Sequence, residues 1–265
     1  MASSAEMADR RMSIRRVFSR AFGTIGAHPA LMFGISFLFG ALPGVLLNLL
    51  LPSNQRTQVA EFNAANIVLS LAVGIAAIGF SIIAQGALVR VTVAHSDGEP
   101  VAFGDAALAG LRKIVPLFVL VFLMAIAIGF ASLLLIVPGI ILYVMWSVAA
   151  PVLVAENSGI FGAMRRSAQL TKGARWSIFG LQLILLLVMY TIIAVAGIVA
   201  IFAAGGIQNF AAAQTAGPSV IPILLSTVFN TVSITFAAAI QTALYVELRD
   251  WNDGPATAAL GDIFG

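Results

Sequence analysis

Basic residues come in groups in this chain, whereas acids, nucleophiles and metal ligands do not. Arg15-Arg16, Arg112-Lys113, and Arg165-Arg166 with Lys172 and Arg175 each stand beside an apolar run. A guanidinium is always charged and forks onto phosphate oxygens, while an ammonium is a compact point charge. Groups of this kind bind anionic headgroups or the acidic face of a protein. Enzyme chemistry would need something else. The two histidines, His28 and His95, have no ligand-spaced partner in the sequence, and the chain has no cysteine. No HExxH, GxSxG, Walker or GxGxxG pattern occurs in the strand-turn-helix setting that would give it meaning. No catalytic residue, metal site or cofactor is therefore expected. Glu156 and Glu247 each close an apolar run and could meet as a carboxylate pair; pairing with arginine is the plainer expectation.

The elements that must position the basic groups follow from composition. Hydrophobic residues make up 60% of the chain and charged residues 9%, against roughly a quarter charged in an ordinary soluble domain. Too little polar surface remains to coat a soluble particle, so the solvent must be lipid. Beside a membrane, arginine groups suit anionic lipid better than nucleic acid, and no nucleic-acid partner is expected. Apolar runs near the twenty residues a bilayer core requires fall at about 30–51, 66–89, 114–136, 139–155, 177–202 and 219–246. The fold class is all-α, a polytopic membrane protein with six transmembrane helices. From Ile114 to Ala155 no charge occurs, a length of roughly 60 Å as helix, or two crossings of a core about 30 Å thick. Pro138-Gly139 is the predicted turn between them, and Pro43-Gly44 a predicted kink in the first span.

Three amphipathic stretches lie between the spans, at about 11–26, 102–113 and 159–172. The first sets Ile14, Val17, Phe18, Ala21, Phe22 and Ile25 opposite Arg11, Arg15, Arg16 and Arg20. The second sets Phe103, Ala107, Leu111 and Ile114 opposite Asp105, Arg112 and Lys113. The third sets Ile160, Phe161, Met164 and Ala168 opposite Arg165, Arg166, Gln169 and Lys172, with Gly173 placed to end it. Each is read as a helix on the membrane surface, giving three repeats of surface helix plus helical hairpin. Ile83-Ala84-Gln85-Gly86-Ala87-Leu88 and Ala239-Ile240-Gln241-Thr242-Ala243-Leu244, at the ends of the second and sixth spans, support the repeat. The expected organisation is a disordered start at 1–9, one membrane domain over 10–250 and a short tail at 251–265. Every Lys and Arg except Arg56 falls on one side of this topology, the cytoplasmic side by the positive-inside rule, with both termini there.

The predicted spans hold no Asp, Glu, Lys, Arg or His, and such residues are what mark proton relays and ion pathways. Their polar groups are amides and hydroxyls, chiefly Gln85, Gln182, Asn230 and Gln241 with the Ser and Thr residues of the last span. These either join helices by hydrogen bonds or line a polar ligand cavity. On the last span Val228, Phe229, Val232, Phe236 and Ile240 form an arc expected to face lipid. Ser70 with Gly74 and Ala125 with Gly129 have the small-residue spacing that permits close helix packing.

One block carries a resemblance. Pro138-Gly139 precedes an apolar span that exits through Pro151-Val152-Leu153-Val154-Ala155-Glu156. Ala163-Met164-Arg165-Arg166-Ser167-Ala168-Gln169-Leu170-Thr171-Lys172-Gly173 follows, and then Trp176. This block resembles the bacterial six-helix proteins grouped with the membrane domain of glycerophosphoryl diester phosphodiesterases, and related inner-membrane proteins. In some members this module is fused to a soluble phosphodiesterase barrel that holds the catalytic residues, and no such barrel is present among these residues. The resemblance therefore implies an inner-membrane architecture and not the phosphodiesterase activity.

The function expected from the sequence is a non-enzymatic inner-membrane module. Arg15, Arg16, Arg112, Lys113, Arg165, Arg166, Lys172 and Arg175 would bind membrane lipids, anionic by preference, or a membrane protein partner. The alternative is a carrier or channel for a lipid or a small uncharged solute, with Gln85, Gln182, Asn230 and Gln241 lining its cavity.

Overall fold

Backbone groups in a lipid core must bond within their own segment, and these apolar runs do so as helices. The computed structural model describes residues 12–50, 64–203, 205–210 and 220–254. Six helical stretches are long and apolar enough to cross a membrane, and no strand occurs among the described residues. The chain is an all-α, multi-pass membrane protein. The predicted disordered start, the loop around Arg56 and all of the tail beyond Gly254 lie outside the described residues.

Helix α1 (Ile14–Ala27) leads into a first span built of α2 (Pro29–Ile35), a π-helical segment (Ser36–Ala41) and α3 (Leu42–Leu50). The second span is α4 (Ala64–Asp97), followed by α5 (Phe103–Arg112) and the third span, α6 (Ile114–Leu134). Two pieces, α7 (Ile136–Met145) and α8 (Ala149–Ala155), make the fourth. Then come α9 (Ile160–Leu170), α10 (Arg175–Ala203) and α11 (Val220–Asp253). Helices α4 and α11 run past their expected limits because their last turns are packed: Val91, Thr92, Val93, Ala94, Leu248 and Glu247 are all buried. Gly98, at φ 74°, lets the chain leave α4.

The first span departs from a regular helix just before the predicted kink at Pro43-Gly44. Pro43 has no N–H for the carbonyl four residues back, and its ring crowds that carbonyl. The preceding turn widens, and the Leu42 N–H bonds the Phe37 carbonyl, a π-type link. Gly40 accommodates the bend, since a Cβ there would stand 2.6 Å from the Ile234 Cδ1. Thr235 Oγ1 donates to Ser36 Oγ at 2.7 Å and ties the segment to α11.

The turn between the third and fourth spans is at Leu135, not at Pro138-Gly139. Leu135 is extended, at φ −156° and ψ 137°. Pro138 is instead the third residue of α7, where a backbone N–H would have no helical partner in any case. Gly139 is needed for a different reason than turning, because a Cβ there would collide with Ser132 across the hairpin. The hairpin tip, Leu133 to Val137, is wholly apolar and 65–84% exposed.

The fourth span, expected as one helix over 139–155, breaks at Trp146–Val148. Pro151 supplies the cause, since it cannot donate to the Ser147 carbonyl four residues earlier. Tight bonds from Ser147 N–H to Val144 O (3.3 Å) and from Ala149 N–H to Trp146 O (3.1 Å) replace the α pattern. Two carbonyls are left over, and side chains from other helices take them. Gln241 Nε2 donates to Ser147 O at 2.8 Å. Ser167 Oγ (2.9 Å) and Thr171 Oγ1 (3.2 Å) donate to Met145 O.

The surface helices follow a rule that the expected stripes do not. In α5 the buried residues are Ala106 and Gly110, while Leu108 and Leu111 face outward. A Cβ on Gly86 would lie 2.8 Å from the Gly110 Cα, so α4 and α5 meet backbone to backbone. Likewise α9 buries Ala163, Ser167 and Leu170, leaving Phe161 76% exposed. Lipid is as apolar as a side chain, so large apolar groups gain little by turning inward and small ones let helices approach. Only α1 buries its predicted stripe, through Val17, Ala21 and Ile25; Phe22 lies outside, edge-on to Phe236 of α11 at 5.5 Å.

That contact also alters the expected lipid arc of α11. Val228 and Val232 face outward, but Phe236 is partly covered and Ile240 is buried. Among the described residues no atom of another helix lies within 4 Å of where a Cβ on Gly74 or Gly129 would stand, so no close helix contact is made there between them. The core gathers at the charged end of the bundle, in Ile82–Ala94, Ala238–Leu248, α8 and α9. Toward the other end the helices present apolar side chains outward, as along α10 from Leu183 to Phe202.

Candidate anion-binding cleft

At the charged end, α4, α5, α8, α9 and α11 surround a cleft of about 600 Å³. Its floor is apolar, with Val89, Val93, Ala109, Val154 and Ala155. Its walls carry Arg90, Arg112, Lys113, Arg166 and Arg249 against Asp97, Glu99, Glu156 and Asp253. Helix geometry brings these together: α5 docks on α4 through the Gly86–Gly110 contact and brings Arg112 to the cleft that Val89 and Val93 also line. Asn157 at φ 51° and Gly159 at φ 72° reverse the chain after α8 and place Glu156 beneath α9.

Three of the five cations are already matched. Arg249 reaches Asp97 at 2.6 Å, and Arg90 reaches Glu99 at 3.0 Å. Arg166 bonds Glu156 at 3.2 Å and also Asp253. Tyr245 adds its hydroxyl to Glu156 at 3.1 Å. Burial works against the charge on Arg166, but the hydrogen bonds and fields of Asp253 and Glu156 outweigh it and hold the guanidinium's pKa above its ordinary value. Lys113 touches only the neutral Asn157 side chain, and Arg112 has no side-chain partner among the described residues.

No family model matches this chain, and no solved structure does.

The structure divides the eight predicted basic residues. Arg112, Lys113 and Arg166 line the cleft. Arg15, Arg165, Lys172 and Arg175 are exposed and have no ion-pair partner among the described residues. Arg16 instead bonds Glu247 at 2.6 Å, with Arg20 at 3.6 Å from the same carboxylate, which is only 3% exposed. Glu156 and Glu247 thus do not pair; each has its own arginine. Arg90, Arg249 and Asp253 were not singled out for a site because each reads as a charge marking a span's exit. Their signal is position, since all three leave their spans at the end where Glu156 closes the fourth.

Of the four predicted cavity residues, two meet. Gln85 Nε2 donates to Gln241 Oε1 at 3.4 Å, joining the two segments matched in the repeat. Asn230 lies exposed on α11, and Gln182 is half-buried on α10 with its Oε1 unbonded. The buried Ser147 hydroxyl at the break in the fourth span is also unbonded. The two histidines, taken as separate, are in contact edge to face with ring centroids 5.2 Å apart. Among the described residues no group of three His, Cys, Asp or Glu side chains could hold a metal ion.

Proposed function

We propose that this protein is a non-enzymatic module of a bacterial inner membrane, with both termini cytoplasmic, whose basic surface helices bind anionic lipid. The observation that carries the reading is the pairing of unmatched cations with exposed aromatics on the outer surface. Arg165 stands one turn along α9 from Phe161, which the expected stripe sets opposite it; Lys172 follows in the turn after the helix, and Arg175 adjoins Trp176, which is 86% exposed. Aromatic rings at headgroup depth and cations beside anionic lipid are each favourable, at about 1 kcal/mol per cation. The resemblance of residues 138–176 to six-helix inner-membrane proteins, and the layout of three surface helices each ahead of two spans, agree with it. A partner protein with an acidic face would use the same cations.

The test is the triple variant Arg165→Gln, Lys172→Gln, Arg175→Gln. Insertion should survive, because Arg15, Arg16, Arg20, Arg90, Arg112 and Arg249 remain. Phosphatidylglycerol and cardiolipin recovered with the protein should fall several-fold by lipid mass spectrometry; unchanged recovery overturns the reading.

A second reading, a carrier for a lipid or small uncharged solute, draws support from the broken fourth span. Interrupted helices in transporters expose backbone groups to a ligand, and the unbonded Ser147 hydroxyl sits at such a break, near the Gln241 amide. Proteoliposomes that release no entrapped glycerol or sugar faster than protein-free vesicles would count against it.

A further inference from the structure

We infer that the cleft at the charged end is a single-occupancy site for one phosphate group, held by Arg112 and Lys113. The inference rests on the lipid-binding reading but moves it from a diffuse basic surface to a discrete pocket. The argument begins with charge matching. Four carboxylates line the cleft against five cations: Arg90 and Arg249 take one carboxylate each and Arg166 takes two, so this group keeps one negative charge and the cleft as a whole one positive charge. The two cations without a carboxylate, Arg112 and Lys113, stand together on one wall, where α5 ends and α6 begins.

That wall has two features that favour phosphate. Arg112 offers a planar fork of donors with no carboxylate on it. Lys113 is the residue between the helices, serving α5 as C-cap and α6 as N-cap. Its ammonium meets only an amide oxygen, so an anion can displace that contact at little loss.

The size of the cleft points past a bare ion. At about 600 Å³ it falls within the range of small-molecule sites. Its floor of Val89, Val93, Ala109, Val154 and Ala155 suits the apolar part of an amphiphile. A phosphate-bearing amphiphile would lie with phosphate on Arg112 and Lys113 and carbon on that floor. Such a phosphate has two sources at this depth, a phospholipid headgroup or a soluble phosphate ester.

The test uses the full chain in phosphatidylcholine nanodiscs, with phosphatidylglycerol as the lipid probe and glycerol 3-phosphate as the soluble one. Native mass spectrometry in high salt should find one phosphatidylglycerol retained per chain. Arg112→Gln with Lys113→Gln should reduce that occupancy at least about tenfold, as the loss of charge-assisted hydrogen bonds requires. Ala109→Phe, which fills the cleft and alters no charge, should do the same. Displacement of the lipid by glycerol 3-phosphate makes the ligand a soluble phosphate ester, and retention in its presence makes it a headgroup. Wild-type occupancy in either the charge variant or Ala109→Phe overturns the inference. The outward triple variant keeps the retained lipid and sheds only the salt-sensitive excess, so a failure of the surface reading is seen separately from a failure of the cleft.

Discussion

Arg165 and Arg166 are one step of about 100° apart around α9, and that step sends them to different surroundings. Arg165 faces outward beside Phe161; Arg166 faces the cleft and holds Glu156 and Asp253. Their single variants should therefore separate. Arg166→Gln is expected to lower thermal stability in detergent by an amount equivalent to about 0.5–1 kcal/mol, the range of a partly exposed ion pair, and to weaken the lipid held in the cleft, where Glu156 and Asp253 lose their cation, with the salt-sensitive surface lipid unchanged. Arg165→Gln should reduce co-purifying lipid and leave the melting temperature alone. Identical behaviour of the two in both assays would contradict the assignment. The residue types of the site could be read from the sequence, but their pairing could not. Glu247 shows why: its partners Arg16 and Arg20 stand more than two hundred positions away, and no spacing rule reaches across that gap.

Among the elements, the fourth span is the most informative. Its existence and approximate ends could be read from hydropathy and from Glu156. Its break could not, because an apolar run hides where the backbone bonds go. The signal was Pro151, placed where its missing N–H leaves a carbonyl free in mid-span. Gln241, Ser167 and Thr171 act as caps supplied from other helices. Removing the Gln241 cap by Gln241→Leu should cost about 1 kcal/mol, within the range for hydrogen bonds between membrane helices. In Pro151→Ala the Ser147 carbonyl regains a helical donor, so the cap becomes dispensable. A double-mutant cycle by denaturant unfolding should then give less than the sum of the two single effects. Strict additivity would mean that the amide does not serve the break. The same reasoning explains the surface helices: amphipathic periodicity located α5 and α9 correctly. It could not tell which face is inward, because in lipid a small residue packs inward more readily than a large one.

For the whole molecule, charge separates one end of the bundle from the other. The packed core, the ion pairs and the cleft share the end that carries the described Lys and Arg residues. Reporter fusions give the orientation. Fusions at Gly98, Gly173 and the C-terminus should read cytoplasmic, and those at Thr57 and Gly206 periplasmic. A periplasmic C-terminus would overturn the arrangement. Hydropathy and the Lys/Arg distribution were enough to give six spans, since each depends on composition over about twenty residues and not on a single contact.

The second hairpin differs from the helices around it in reach. Helix α6 has 21 residues, about 32 Å, whereas α4 and α11 have 34 each, about 51 Å. Starting from the charged end, the hairpin stops near the far border of the hydrocarbon, and its tip offers lipid nothing but Leu133 to Val137. Its connection is the single extended residue Leu135, with no polar loop beyond it. The chain contains no cysteine, so Leu135→Cys would be its single thiol. That thiol should resist a membrane-impermeant maleimide on intact cells and react with a permeant one, while Gly206→Cys should react with both. Periplasmic proteases and partners would then reach the far side of this protein through its first and third hairpins and find no purchase on the middle one.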